Sequence, residues 1–127
     1  MLQVLLVEDD DSTRQAVRDA LERSGHAVTE ARDGAEGLSV ALSATFDVVI
    51  CDVHMPKMSG FTLFRRLRQE RPQWPVVIMT TFGAVDDALY AVGQGAVDYV
   101  TKPFDPEAFA QTVLGPIDER LKLRRSP

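Results

Sequence analysis

Asp52 closes an apolar run, Val48-Val49-Ile50-Cys51, and a loop opens after it, Val53-His54-Met55-Pro56-Lys57-Met58-Ser59-Gly60. A carboxylate at the carboxyl end of a buried parallel strand stands where open α/β sheets keep their ligands. Three other strand ends carry groups of complementary chemistry: Glu8-Asp9 after the first run, Thr80 after the fourth and Lys102 after the fifth. Glu8, Asp9 and Asp52 would bring three carboxylates to one rim of the sheet. Two like charges about 4 Å apart repel by about 4 kcal/mol at an effective dielectric of about 20. Such a cluster either raises a pKa or binds a cation. Carboxylate donors without a His pair at metal-ligand spacing favour Mg²⁺ over zinc. Lys102 adds a cation and Thr80 a hydroxyl donor for the oxygens of a phosphoryl group, and Asp52 would be the carboxylate nucleophile forming a mixed anhydride.

Each residue taken singly has a plainer role. Adjacent acids often complement a helix N-terminus, a lone aspartate often makes a turn, a lone threonine often caps a loop, and Lys102-Pro103 alone says only that a loop begins. Agreement among four strand ends is what singles out phosphoryl transfer.

These groups need a scaffold that aligns strand ends. Strand-like runs fall at 4–7, 27–31, 48–51, 76–79 and 98–101. Three are nearly continuous in apolar residues, as strands covered on both faces are. The second, Ala27-Val28-Thr29-Glu30-Ala31, is more polar and suits an edge. Helical patterns lie between them. Val17 and Leu21 share a face, with Asp11 or Ser12 as N-cap and Gly25 as stop. Leu63, Phe64 and Leu67 repeat the pattern ahead of Pro72, and Ala88, Leu89, Val92 and Ala96 give a weaker version of it. Asp105 with Pro106 opens a last helix with Phe109 and Val113 on its apolar face. Gly115-Pro116 is expected to interrupt that helix before Ile117 and Leu121 resume the stripe. The basic end, Lys122, Arg124 and Arg125, suits a helix C-terminus or the start of a linker. Alternating strands and helices with short loops imply an α/β, doubly wound parallel sheet with helices on both faces.

Composition narrows the remaining classes. The chain has 127 residues, 45% hydrophobic and 26% charged, which is ordinary for a soluble domain with a real core. A net charge of −5 disfavours direct nucleic-acid binding, which calls for a basic face. No apolar stretch reaches membrane-spanning length, and residues 1–4 start on a strand rather than a signal peptide. The single cysteine, Cys51, allows no internal disulfide and reads as a buried, inert thiol. The expected setting is the cytoplasm.

Four segments together resemble the receiver domain of two-component response regulators. They are Leu5-Leu6-Val7-Glu8-Asp9-Asp10, Asp52-Val53-His54-Met55-Pro56-Lys57-Met58-Ser59-Gly60, Val77-Ile78-Met79-Thr80 and Gly95-Ala96-Val97-Asp98-Tyr99-Val100-Thr101-Lys102-Pro103-Phe104, in the family's order and spacing. The stretch Met79-Thr80-Thr81-Phe82-Gly83 with that fourth segment is most similar to receivers of the nitrogen-regulator type. The resemblance implies a flavodoxin-like fold, a five-stranded parallel sheet in the order 2-1-3-4-5 with five flanking helices. It implies one receiver domain over 1–127, its core about 3–114, with 115–127 extending the last helix or beginning a linker.

By the same resemblance Asp52 is the phosphoacceptor. Glu8, Asp9, Asp52 and the backbone carbonyl of His54 hold Mg²⁺, Thr80 and Lys102 engage the phosphoryl group, and Tyr99 is the aromatic switch paired with Thr80. The Lys102-Pro103 peptide is expected to be cis. Such a domain is a signalling phosphoacceptor rather than an enzyme. A sensor histidine kinase would be its donor, and its fourth-helix, fifth-strand and fifth-helix surface would control an output domain, such as an ATPase plus DNA-binding unit, or a homodimer. Pro116 weakens the case for a continuous helical dimer face. His54 and Phe82, each two residues beyond a key site residue, should flank the water approach to the phosphoryl group; neither orients a water as a carboxylate or amide would, so hydrolysis should be slow. The alternative is a receiver-like protein-binding module that works without phosphorylation. An aspartyl-phosphate phosphatase would instead want its nucleophile after the first strand, with a second aspartate two residues on.

Overall fold

The computed structural model describes residues 1–55, 57–80, 93, 98–101 and 105–125. The strands are β1 (Gln3–Val7), β2 (Ala27–Ala31), β3 (Val48–Asp52) and β4 (Val76–Thr80), and the backbone of β5 (Asp98–Thr101) pairs beside β4. All pairings are parallel, in the order β2-β1-β3-β4-β5, with the polar second strand at an edge.

Register is what matters for the chemistry. Val7 lies opposite both Ala31 and Cys51, Cys51 opposite Ile78, Asp52 opposite Met79 and Thr80 opposite Thr101. The ladder runs one residue further on each side of the centre, through Glu8 N–H to the Ala31 carbonyl at 3.0 Å and Val53 N–H to the Met79 carbonyl at 3.0 Å. Glu8 and Asp52 therefore end neighbouring strands at one level, with Thr80 one residue further along β4.

Alternation along the central strands divides the core in two. Leu5, Val7, Val49, Cys51 and Ile78 face one layer, packed by Leu38 and Ala41 of α2 (Gly34–Ser43) and by Leu63, Phe64 and Leu67 of α3 (Gly60–Glu70). Val4, Leu6, Val48, Ile50, Val77 and Met79 face the other, packed by Val17 and Leu21 of α1 (Asp11–Arg23) and by Phe109, Leu114 and Ile117. Both faces of β1, β3 and β4 are thus covered, which explains their continuous apolar sequence.

Two expectations need correction. The N-cap of α1 is Asp10, whose carboxylate accepts from the Thr13 N–H at 2.9 Å, and not Asp11 or Ser12. In a run of three acids the cap is set by where the strand releases the chain. Gly25, at φ 90°, ends α1 as expected. The second correction concerns the C-terminal helix, which Gly115-Pro116 does not interrupt. Asp105 caps it, with Pro106 in its first turn, and Pro106–Phe109 continues through a π-helical stretch, Ala110–Leu114, into Gly115–Arg125. The π-helical stretch occupies the turn before Pro116, where a regular α-helix would place the carbonyl that its ring crowds and its missing N–H leaves unpaired. Phe109 and Ile117 are buried on one side of this helix. The fourth helical pattern, at Ala88, Leu89, Val92 and Ala96, lies outside the described residues. Among the described residues no helix is long and apolar enough to cross a membrane.

Candidate functional site

β1 delivers Glu8 and Asp9, and β3 delivers Asp52. One carboxylate oxygen from each lies within 4.8 Å of the others. Glu8 and Asp52 are buried while Asp9 is exposed, so the cluster is set into the rim with one side open to solvent. A cation would offset the repulsion among carboxylates gathered this closely. The donors are hard oxygens, and an open side leaves room for water, a combination that fits Mg²⁺.

Asp52 is held mainly by backbone packing. Its Oδ1 accepts from the His54 N–H at 3.2 Å, in a tight turn of the chain. Gly60, the first residue of α3, is pressed beneath it: a Cβ there would stand 2.1 Å from the Asp52 carbonyl oxygen and 2.9 Å from the Val53 Cα. The Gly60 N–H donates to the Val53 carbonyl at 3.0 Å, and the Ser59 hydroxyl caps the helix by accepting from the Thr62 N–H at 3.2 Å. Only glycine permits that approach.

The loop between Asp52 and Gly60 lies against α2. Lys57 adopts φ 69°, a left-handed conformation uncommon for a lysine, and its Nζ lies 3.6 Å from Asp33 Oδ2. Asp33 caps α2 by accepting from the Glu36 N–H at 2.8 Å. That backbone bond, with help from the Lys57 charge, holds the Asp33 carboxyl below the usual carboxylate range. Gly34 meets the same loop, since a Cβ there would stand 2.4 Å from the Met58 carbonyl oxygen.

Cys51 neighbours Asp52 in sequence but faces the interior. Burial, and secondarily the Asp52 charge, pushes its thiol up to about 12, so it stays protonated and inert.

The β1 side is held by side chains. The Asp10 N–H donates to Glu8 Oε2 at 3.3 Å, and Arg14 Nη1 donates to the Glu8 carbonyl oxygen at 2.9 Å. The Arg14 guanidinium also bonds Asp11 and, through Nε at 3.2 Å, Glu30. Those acids raise its pKa further, the Asp11 bond most, so the charge is permanent. Sequence reasoning missed Arg14, because one cation on an amphipathic helix does not announce an inward bond to a carbonyl.

The structure therefore gathers Glu8, Asp9 and Asp52, with the His54 backbone beside them. The Thr80 backbone ends β4 one residue beyond the Met79 that faces Asp52. Phe82, Lys102 and Pro103 lie outside the described residues, as do the side chains of Thr80 and Tyr99.

Comparison with known proteins agrees with this geometry. The profile of the response regulator receiver domain matches residues 4–114. The chain is 43% identical over 110 residues to the response regulator protein FleR of Pseudomonas aeruginosa, covering 87% of this chain and 23% of that one. It is 42% identical over 102 residues to the DNA-binding transcriptional regulator NtrC of Escherichia coli K12, covering 80% of this chain and 22% of the other. The chain thus spans about a quarter of the length of these relatives. Among solved structures, a response regulator receiver domain protein from Clostridium thermocellum superposes with a TM-score of 0.87 at 30% identity, covering 97% of this chain and 99% of the other. With the parallel sheet, the acidic rim and these relatives in agreement, the chain belongs to the response regulator receiver domain family.

Proposed function

We propose that this chain is a phosphorylation-activated receiver that takes a phosphoryl group on Asp52 and passes the change to a transcriptional output domain. The observation that carries this reading is the convergence of Glu8, Asp9 and Asp52 oxygens within 4.8 Å at the carboxyl rim of the sheet. Glu8, Asp9, Asp52 and the His54 carbonyl would hold Mg²⁺, which when bound offsets the charge of the incoming phosphoryl oxygens.

An Asp52 oxygen attacks phosphorus in line with the donor, a phosphohistidine of a sensor histidine kinase. The P–N bond breaks, and its electron pair leaves on the imidazole nitrogen. Thr80 and Lys102 then close on the new phosphoryl oxygens and Tyr99 turns inward, with Lys102-Pro103 cis. The surface of the fourth helix, fifth strand and last helix changes with them, for an output domain or a second copy to read. Driving such a switch from 1:99 to 99:1 takes about 5.5 kcal/mol of differential stabilisation. His54 and Phe82 flank the water approach and make the phosphoryl group long-lived. The similarity to FleR and NtrC supports a transcriptional output.

The test is intact mass after incubation with acetyl phosphate, with and without Mg²⁺, on wild type and Asp52→Asn. One Mg²⁺-dependent phosphoryl adduct, lost in the variant, is expected. A folded wild type that binds Mg²⁺ and takes no adduct would instead identify a binding module that works without phosphorylation.

A further inference from the structure

The Glu8–Asp9 segment is fixed from two directions. On one side the Glu8 N–H continues the β2 ladder to the Ala31 carbonyl at 3.0 Å. On the other, Arg14 Nη1 holds the Glu8 carbonyl at 2.9 Å. That carbonyl belongs to the planar peptide joining Glu8 to Asp9, so its direction fixes how the Asp9 Cα leaves the strand and, with it, where both carboxylates point. Arg14 is itself immobilised: its side chain is only 9% exposed, and Asp11 and Glu30 hold the rest of the guanidinium.

We infer that Arg14 is a positioning residue for the cation site, setting the Glu8–Asp9 peptide plane and thereby the geometry of two of its three carboxylates. The inference rests on the receiver reading above, in which those carboxylates hold Mg²⁺. Arginine suits the task because its rigid fork reaches a carbonyl and two carboxylates at once, whereas a lysine ammonium is a point charge on a flexible stem. Supporting groups behind metal ligands typically govern about 10–100-fold in affinity.

Sign separates this role from simple electrostatics. Arg14 is a cation near a cation site, so removing its charge should tighten Mg²⁺ binding if charge alone matters. If position matters, removing it weakens binding. Arg18 supplies the control. It lies on the same helix, carries the same charge and bonds the same Glu30, through Nη1 at 3.0 Å, but its guanidinium also reaches Asp19.

The experiment is calorimetric titration with Mg²⁺ of wild type, Arg14→Gln, Arg14→Lys and Arg18→Gln, with thermal unfolding of each in the absence of metal. Arg14→Gln is expected to weaken the Mg²⁺ Kd about 10-fold, and Arg14→Lys to weaken it with the charge retained, while Arg18→Gln stays within about twofold of wild type. If Arg14→Gln does not fold, Arg14→Lys carries the test. Folded Arg14 variants with wild-type or tighter Mg²⁺ binding would overturn the inference, whatever their melting temperature, and so would an equal loss in Arg18→Gln. A wild type that takes up no Mg²⁺ would sink the receiver reading itself, and this inference with it. Normal wild-type binding with unaffected Arg14 variants would sink the inference alone.

Discussion

Two loops deliver carboxylates to the same site and are held by opposite means. The segment after β1 is fixed by side chains: Arg14 on the Glu8 carbonyl, and Asp10 capping α1 through the Thr13 N–H. The segment after β3 is fixed by the absence of side chains, with Gly60 against the Asp52 carbonyl and Gly34 against that of Met58. The first arrangement uses directional bonds to a permanent charge and tolerates small displacements. The second is steric and tolerates none. The proposed phosphoacceptor thus sits on the stiff side, and two of the carboxylates expected to bind the cation sit on the adjustable one.

The steric side should break first. Ala at position 60 would put a methyl 2.1 Å from a backbone oxygen, too close for any rotamer to relieve, so α3 or the Asp52 turn must shift. Gly60→Ala is expected to destabilise by about 3 kcal/mol, the upper end of overpacking costs, and to abolish the acetyl-phosphate adduct. At Gly115, helical at φ −54° and ψ −52°, a Cβ meets nothing within 4 Å beyond its chain neighbours, while the following Pro116 crowds a Cβ in the α region, so the same substitution should change stability by less than about 1 kcal/mol. Urea unfolding of both variants checks the pair. Equal effects at the two glycines would mean that close approach to Asp52 is not what holds the rim.

A milder change sharpens the contrast. Lys57 keeps its left-handed conformation, φ 69°, on the steric side, and its side chain is 72% exposed, so the contact with Asp33 adds little. The left-handed backbone costs a residue with a Cβ about 1–2 kcal/mol. A glycine returns about 0.4–1 kcal/mol of that through its freer unfolded chain. Lys57→Gly should therefore gain about 0.5 kcal/mol in urea unfolding. A clear loss would show that the side chain anchors the loop after all.

The sequence displays strand ends well and helix docking poorly. Glu8, Asp9 and Asp52 could be found because apolar runs on β1 and β3 point to a common rim, and parallel register does the rest. Arg14 could not, because its bond to the Glu8 carbonyl depends on how α1 rotates against the sheet. Helix α2 lacked a bold stripe, since Gly34, Ala35, Gly37 and Ala41 are small. Its one local signal was Asp33 followed three residues later by Glu36, the spacing of a capping pair. Gly37 is small for a reason only packing reveals: a Cβ there would stand 2.9 Å from Val7 Cγ2. Pro116 misled for a related cause, because proline rules assume regular α geometry and the π-helical stretch at Ala110–Leu114 departs from it.

The smallest expected effect lies at Asp33, where the two modes of fixing meet. Its carboxylate caps α2, and its pKa is lowered chiefly by the Glu36 N–H. A lowered pKa means that the native state binds the proton less readily than the unfolded chain does. The stabilisation is therefore complete above the unfolded carboxylate value of about 3.9, and it is lost as pH falls through the lower native value. Asparagine is also a good cap but carries no charge, so Asp33→Asn keeps the bond and removes only the titration. The stability difference between wild type and Asp33→Asn should be constant near neutral pH and should shrink as pH drops below about 4. Other carboxylates titrate in the same range but cancel in the difference. Chemical unfolding of both proteins from pH 7 to pH 3 decides the matter. A difference that stays flat across that span would mean that the cap at Asp33 works as a dipole and not as a charge, and that charge holds the β1 segment alone.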